Sequence, residues 1–546
     1  MKRFGALAVI MILIFPASRV AADQPAPTPE LVLPEVTLDI RDLSVENVQA
    51  MLPPEGPPVI VKADVILPSG PELLVQQPAR TLAVEGSDPL GGTATPQNPL
   101  ATQATLGLGS QNRVVGDLNV STTGGNTQSS LAFSHETADG ISDQKQGSGF
   151  NTRDDTIAGD VSGKLGPFDG GLQGSYSEKE LGLQQLAPSY VYRLGRNLDG
   201  KATLGVQPLD WLTVEGSVRG VTDSLTLASA GASAPGQENE YKGATHLSAK
   251  ARTGELTIGV SGDYDYHLAQ LITGSDDQVQ RLKTGVSLSL NLPASLLLEG
   301  SVALFVSSRG STLLPFSIHA TAAPLSALTI DASAGYRVVP YDEGDILALN
   351  PYLIPVNLVD DSGWFADGGF QLALTSDVSL RAKLSFMSSS NMLTSNSFAS
   401  GTYTGDLGTG LYQVNQISAN RLLGDAGVRW TVTPGVTLDA GWKRELMERP
   451  SFAPVDSMTA EVIAMETTGA YGGQLSGTLL TGLPPNVQVP EIDIGGFVRL
   501  SQPAQLHLDL YDVLWPLVNN LQRYGPSLYP YVEPGFRAVA SVRLSF

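Results

Sequence analysis

The 546-residue chain contains no cysteine. Disulfides, thiolate metal sites and the lipid-modified N-terminal cysteine of bacterial lipoproteins are therefore excluded. Charge is also scarce, at 16 % of residues, where soluble domains carry roughly 25 %. Basic residues are the scarcer sign: 33 Lys and Arg stand against 54 Asp and Glu, a net charge of −21. Such a chain has no surplus of cations to neutralise phosphates, which excludes nucleic acid as a partner. Beyond the first 22 residues, no stretch approaches the ~18 apolar residues of a membrane-spanning helix. Any crossing of a membrane has to be made by strands. What the chain does have is glycine, 58 residues of it, with Ser and Thr frequent as well. That balance fits an exported all-β protein better than a soluble enzyme.

The N-terminus reads as an export signal. Lys2 and Arg3 precede an apolar run from Phe4 to Phe15, Pro16 breaks it, and Val20-Ala21-Ala22 offers small residues for a peptidase. The run is too short for a membrane anchor, so cleavage is expected after Ala22. Losing Lys2, Arg3 and Arg19 deepens the charge of −21 by three, to −24. Residues 23–100 then form a proline-rich arm, with Pro25, Pro27, Pro29, Pro34, Pro53, Pro54, Pro57, Pro58, Pro68 and Pro71. A short strand over 59–67 and a helical turn or two over 44–51, capped by Ser44, are the only regular elements expected there. The rest is extended or irregular. Such an arm threads a lumen, reaches a periplasmic partner or hangs free.

From residue 101 to 546 one unit repeats, a strand of roughly ten residues followed by a turn or loop. Leu328, Ile330, Ala332, Ala334, Tyr336 and Val338 share one face, while Thr329, Asp331, Ser333, Gly335 and Arg337 share the other. The period of two belongs to a strand with one apolar and one polar face. Leu256, Ile258, Val260, Tyr264 and Tyr266 oppose Thr257, Ser261, Asp263, Asp265 and His267 in the same way. So do Val378, Leu380, Ala382, Leu384 and Phe386 against Ser379, Arg381, Lys383 and Ser385. Strands of this length exceed those of a soluble sandwich and suffice to cross a tilted membrane. The predicted fold is an all-β transmembrane antiparallel barrel, integral to a bacterial outer membrane, with lipid outside and a wet lumen inside.

Tight turns fall at Gly166-Pro167, Gln207-Pro208, Thr253-Gly254, Leu292-Pro293, Ala323-Pro324, Ser376-Asp377, Thr433-Pro434-Gly435 and Gln502-Pro503. Longer polar segments lie between them, over 139–155, 228–240, 341–363 and 392–416. Short periplasmic turns alternating with long external loops are the habit of bacterial barrels. Pairing strands around the turns gives about 20, within a range of roughly 18 to 22, and closure of an antiparallel ring demands an even number. Residues 448–490 read as one long external segment, or as one that hides a further hairpin. A ring this wide cannot fill its lumen with its own side chains, so it is either open or plugged.

At the C-terminus Phe536, Ala538, Ala540, Val542, Leu544 and Phe546 share the lipid face, and Arg537, Ser541, Arg543 and Ser545 the lumen. A closing strand that ends in Phe offers an edge that the barrel-assembly machinery can pair with, and Phe536, Val542, Leu544 and Phe546 form its candidate signal. This stretch, together with Gln505 to Val513 before it and the opening strands Ala104 to Gly109, Val114 to Thr122 and Gln128 to His135, resembles the barrel half of TonB-dependent receptors. The resemblance covers residues 100–546. Near the mature N-terminus, Pro34-Glu35-Val36-Thr37-Leu38 is similar to the segment with which such receptors meet their inner-membrane energiser. The resemblance thus implies Glu35, Val36, Thr37 and Leu38 as a partner-binding segment. It also implies a folded plug between that segment and the barrel. The proline-rich arm is too short for one, so the expectation is a receptor-like barrel whose plug is missing or vestigial.

Catalytic patterns are not evident. His135, His246, His267, His319 and His507 lie on separate strands without metal-ligand spacing, and no nucleophile motif or phosphate loop occurs. His267 with Asp265 and His507 with Asp509 are expected to line the lumen, since positions i and i+2 share a face. Neither an enzyme nor a cofactor is expected. The expected lumen wall carries both signs, in Arg337, Arg381, Lys383, Asp439, Arg499, Arg537 and Arg543 among others. Trp211, Trp364, Trp430, Trp442 and Trp515 are placed for interfacial girdles. The function these features favour is passage of solutes across the outer membrane, with the arm as a candidate obstruction. The alternative is a structural barrel that anchors a periplasmic or surface assembly. The partners expected are outer-membrane lipid, the assembly machinery and a periplasmic protein met through residues 23–100.

Overall fold

A computed structural model describes residues 100–546, apart from 125–126, 143–144, 188–189, 230–235, 272–275, 293–294, 343–351, 355–357, 396–411, 448–455, 482–489 and 516–534. The expectations for the signal peptide, the arm and Glu35 to Leu38 lie outside the described residues. Within them, 22 strands follow one another around a ring. In chain order they are β1 Leu100–Gly109, β2 Arg113–Gly124, β3 Thr127–Ala138, β4 Thr152–Leu165, β5 Phe168–Gly182, β6 Tyr190–Leu209, β7 Leu212–Ser229 and β8 Gly236–Thr253. Then come β9 Leu256–Gln270, β10 Asp276–Leu292, β11 Leu296–Ser307, β12 Phe316–Leu325, β13 Leu328–Val339, β14 Asp361–Ala373, β15 Val378–Ser395 and β16 Tyr412–Thr433. The last are β17 Val436–Met447, β18 Asp456–Met465, β19 Tyr471–Thr481, β20 Glu491–Ser501, β21 Ala504–Tyr511 and β22 Arg537–Ser545.

Each strand pairs antiparallel with the next, and β22 returns to β1 with Gln103 opposite Ser545 and Gly109 opposite Val539. The ring is closed, so no edge is left for the hydrocarbon to meet. Its exterior is apolar: Leu106, Leu108, Leu131, Val161, Leu172, Val218, Leu247, Val286, Ile318 and Leu384 all stand exposed. Exposed apolar groups in that density belong against lipid. The chain is an integral outer-membrane barrel.

Two differences from the sequence reading stand out. Residues 448–490 hide the hairpin β18–β19, turned over Glu466 to Ala470, which brings the ring to 22 strands. Its turn lacks the proline that marks most of the others, so the sequence leaves loop and hairpin both open there. Many strands are also longer than the ten or so residues a membrane needs. β6 has 20 residues and β16 has 22, and parts of the expected loops 228–240 and 392–416 are paired strand. The pairing outlasts the apolar alternation, which is why the sequence shows loop where the backbone stays extended.

The tight turns gather at one end, beside the C-terminus. Gly254 takes φ 61° and Gly435 φ 94° there, in the left-handed region that side chains resist. A Cβ on Gly435 would also press on the Met465 carbonyl. Gly435→Ala is expected to cost about 1–2 kcal/mol from the backbone alone, plus that contact. The urea midpoint of the refolded barrel measures it, and an unchanged midpoint would contradict the turn geometry.

Candidate functional site

The register sorts every strand into an outer and an inner face. Arg337, Arg381, Lys383, Asp439, Arg499, Arg537 and Arg543 all fall on the inner one, in line with Asp331, Gly427, Asp425, Arg429, Gln505, Tyr511 and Gln505 of the facing or same strands. Arg381 reaches Asp439 two strands away at 3.5 Å, and the Arg537 guanidinium lies 4.8 Å from the centre of the Tyr511 ring. Phe546 and Val542 stand exposed on the outer face. Trp211, Trp364, Trp430 and Trp442 are exposed too, and Trp364 meets Phe316 and Tyr336 edge-on.

The inner wall is laced by ion pairs across neighbouring strands. Arg219 grips Asp199 at 2.6 Å, Arg421 meets Glu445 at 2.9 Å and Lys179 meets Asp154 at 3.4 Å. Three of the five histidines join in. His246 contacts Asp263 at 2.5 Å, His319 contacts Glu299 at 3.2 Å and His267 contacts Glu240. His135 contacts Asp155 at 2.5 Å, but these two sit on the outer face, beside Arg153 and Glu178. No spacing along the chain announces such pairs, because each joins two strands. No group of three or more His, Asp or Glu side chains is arranged to hold a metal among the described residues.

The inner wall departs from plain polarity at one place. At the ends of β7 to β11 away from the C-terminus, Val221, Leu225, Leu227, Ala269, Val279 and Phe305 are buried although they share the polar face. Leu227 among them packs with Tyr341, Tyr352 and Leu358, described residues of the connection from β13 to β14. Asp360, just before β14, takes a two-pronged grip from Arg281 on β10, at 2.6 Å from Nη2 and 3.0 Å from Nε. Both side chains are about 5 % exposed, at 5 % and 6 %. Nη2 of Arg281 also donates to the Tyr341 carbonyl at 3.2 Å. On the same connection Asp342 meets Lys242 of β8 at 3.0 Å, and Lys242 holds Glu240 and Asp223 at 2.9 and 3.2 Å. Two anions brought to a wall are neutralised by the cations waiting on it. Burial makes the Arg281–Asp360 pair all-or-nothing, since a lone buried charge costs several kcal/mol.

Apolar groups join the same place. Leu183 and Ala187 after β5, Leu227 of β7, Tyr341, Tyr352 and Leu358 of the connection, Leu393 of β15 and Val414 of β16 form one buried cluster. Leu353–Ile354 of the connection runs parallel to the first residues of β16, Leu353 beside Tyr412. Gln416 fastens the Val359 backbone from β16 as well, donating to its carbonyl at 2.6 Å and accepting from its N–H at 2.8 Å. The described residues of this connection, within the 341–363 segment expected as an external loop, reach in over the wall to β8, β10 and β16.

No family profile matches the chain, and no curated protein matches it in sequence. Solved structures do. The FrpB iron transporter of Neisseria meningitidis (F5-1 variant, apoprotein) superposes with a TM-score of 0.63 at 9 % identity, over 82 % of this chain and 81 % of that one. The fold is that of these outer-membrane barrels. The copper transporter OprC gives 0.62 at 12 % identity, covering 82 % of this barrel chain and 80 % of its own. The siderophore receptor PirA from Acinetobacter baumannii gives 0.63 at 10 %, with 82 % and 81 % covered. Identities this low speak to architecture only. What these proteins share with this chain is the barrel architecture.

Proposed function

We propose that this barrel passes solutes across the outer membrane, as a receptor-like channel whose N-terminal arm, residues 23–100, obstructs the lumen. The observation that carries the reading is a closed ring of 22 strands with a charged inner face. A ring of that size encloses more space than its own side chains fill. The likeness to iron, copper and siderophore transporters supports the same reading at the level of fold. Arg337, Arg381, Lys383, Asp439, Arg499, Arg537 and Arg543 are the wall that a passing solute meets. With acids and bases interleaved, that wall favours no single sign of ion. The arm takes the place of a folded plug, and Glu35, Val36, Thr37 and Leu38 are its contact for a periplasmic partner. Phe536, Val542, Leu544 and Phe546 address the chain to the assembly machinery. The reading includes no catalytic step and no cofactor.

The test is single-channel conductance in planar bilayers, for the mature chain and for one lacking residues 23–100. Large, steady currents are expected after the deletion and small or flickering ones before it. Equal currents from both would make the arm a bystander. Silence from both, in barrels shown to be folded by heat-modifiable mobility, would sink passage and favour the anchoring role.

A further inference from the structure

Two glycines lie side by side on the inner wall, where the alternation elsewhere sets polar side chains. One row of facing positions runs through Arg381 of β15, Gly427 of β16, Gly441 of β17 and Thr459 of β18. The row on one side is Lys383, Asp425 and Lys443, and the row on the other is Ser379, Arg429, Asp439 and Glu461. The glycines leave a recess two strands wide, roughly 10 Å, since neighbouring strands sit ~4.8 Å apart. Neighbours lean into it. A Cβ on Gly427 would stand 2.7 Å from Arg381 Nε and 3.1 Å from its Cζ, and one on Gly441 would stand 2.9 Å from Thr459 Oγ1. The Arg381 guanidinium thus lies across β16 against bare backbone. Its Nη2 is 3.5 Å from Asp439, the one partner it has among the described residues. Glycine inside a strand weakens the strand and often marks a place that another group approaches closely.

The charges around the recess are uneven. Arg381, Lys383 and Arg429 are exposed on the lumen side and Lys443 is half-buried. Among the described residues, no acid stands within ion-pair distance of Lys383, Lys443 or Arg429. Asp439 is engaged by Arg381, Glu461 accepts from the Gln474 amide, and Asp425 stands between the two lysines. Four cations and two acids, Asp425 and Asp439, therefore ring the glycines, a local surplus of two positive charges. We propose that this recess is a binding station for a compact solute carrying two or more carboxylate or phosphate groups. Its purpose rests on the passage reading, whose substrate class it names. Arg381, propped against the glycines, presents its unspent N–H donors as a fork to one anionic group, a geometry that guanidinium matches to carboxylate or phosphate. Lys383, Lys443 and Arg429, rooted around the same floor, neutralise a second. The wall as a whole favours neither sign, but a local surplus concentrates a multiply charged anion at this one place. Asp425 tempers the hold, as a solute in transit must also leave.

The test is calorimetric titration of the folded mature chain in detergent with citrate and with pyrophosphate. Binding of at least one is expected, and the tighter of the two names the group recognised. Gly427→Ala pushes Arg381 off its seat without removing a charge and should weaken binding about tenfold, as should Arg381→Gln. Arg381→Lys keeps the charge but not the fork and should recover little of the loss. Lys250→Gln, which removes a lumen cation eight strands away, should change nothing. Heat-modifiable mobility confirms folding, and Arg381→Gln carries the test where Gly427→Ala does not fold. Failure of both anions to bind, an affinity untouched by Gly427→Ala and Arg381→Gln, or an equal loss from Lys250→Gln would overturn the station. Citrate flux into proteoliposomes is read on the same variants. Binding that follows them without any flux would leave the station standing and sink the passage reading.

Discussion

A chain that stops at Gly535 is expected to yield no folded barrel. The missing β22 is hydrogen-bonded on both sides, along Gln103 to Gly109 of β1 and along Ala504 to Tyr511 of β21. Even the final residue is tied in, since Phe546 gives its N–H to Thr102 at 2.8 Å and receives the Thr102 N–H at 3.0 Å. Removing the strand leaves two rows of backbone donors and acceptors facing hydrocarbon, each group costing several kcal/mol. No rearrangement of the remaining 21 strands repairs this, because an odd antiparallel ring cannot close. The measurement is heat-modifiable gel mobility after refolding in detergent, with protease resistance alongside. A compact, boiling-sensitive band from the truncated chain would show that closure between β1 and β22 is not what holds the ring.

The second large effect concerns the belt. Val260, Val286 and Val302 stand opposite one another on β9, β10 and β11, half-exposed on the outer face. They form a row that only lipid covers. Val286→Arg should destabilise the barrel by about 2–4 kcal/mol, the cost of a cation held near the membrane midplane. Ser287→Arg, one residue along, turns the same charge into the wet lumen and should cost well under about 1 kcal/mol. Urea titrations in lipid vesicles compare the two directly. Equal losses would mean that the inside and outside of β10 have been exchanged. A shift of register by one residue would do that, and it would invert the faces of the whole strand.

Much of this architecture was legible because lipid and water impose opposite demands on alternate residues. The run from Leu328 to Val338 states both faces plainly, and the structure keeps each residue where the alternation put it. Closure was readable from the apolar series that ends at Phe546. The hairpin β18–β19 was legible only as one of two alternatives, since Asp456–Met465 alternates weakly and its turn at Glu466 has no proline. The inner wall was visible as a set of polar positions, but its pairing was not. Arg219 finds Asp199 and Lys250 finds Glu215 through registers that no spacing in the chain encodes. The contacts of the β13–β14 connection were hidden most deeply. Arg281 and Lys242 look like any other lumen charges until the fold brings Asp360 and Asp342 to them. Leu225 and Leu227, apolar where the pattern asks for polar, were the one written hint.

The excess length of β16 has a consequence of its own. Its 22 residues, rising ~3.3 Å each and leaning ~40° from the barrel axis, climb to about 55 Å, nearly twice the thickness of a hydrocarbon core. On this side the barrel is thus a shaft of two storeys. The lower one is gripped by lipid, and the upper one is held upright by its own cross-strand ladder in water. A thinner or thicker bilayer would squeeze the lower storey and leave the upper one untouched. Dissolved salt, by contrast, would be felt chiefly above.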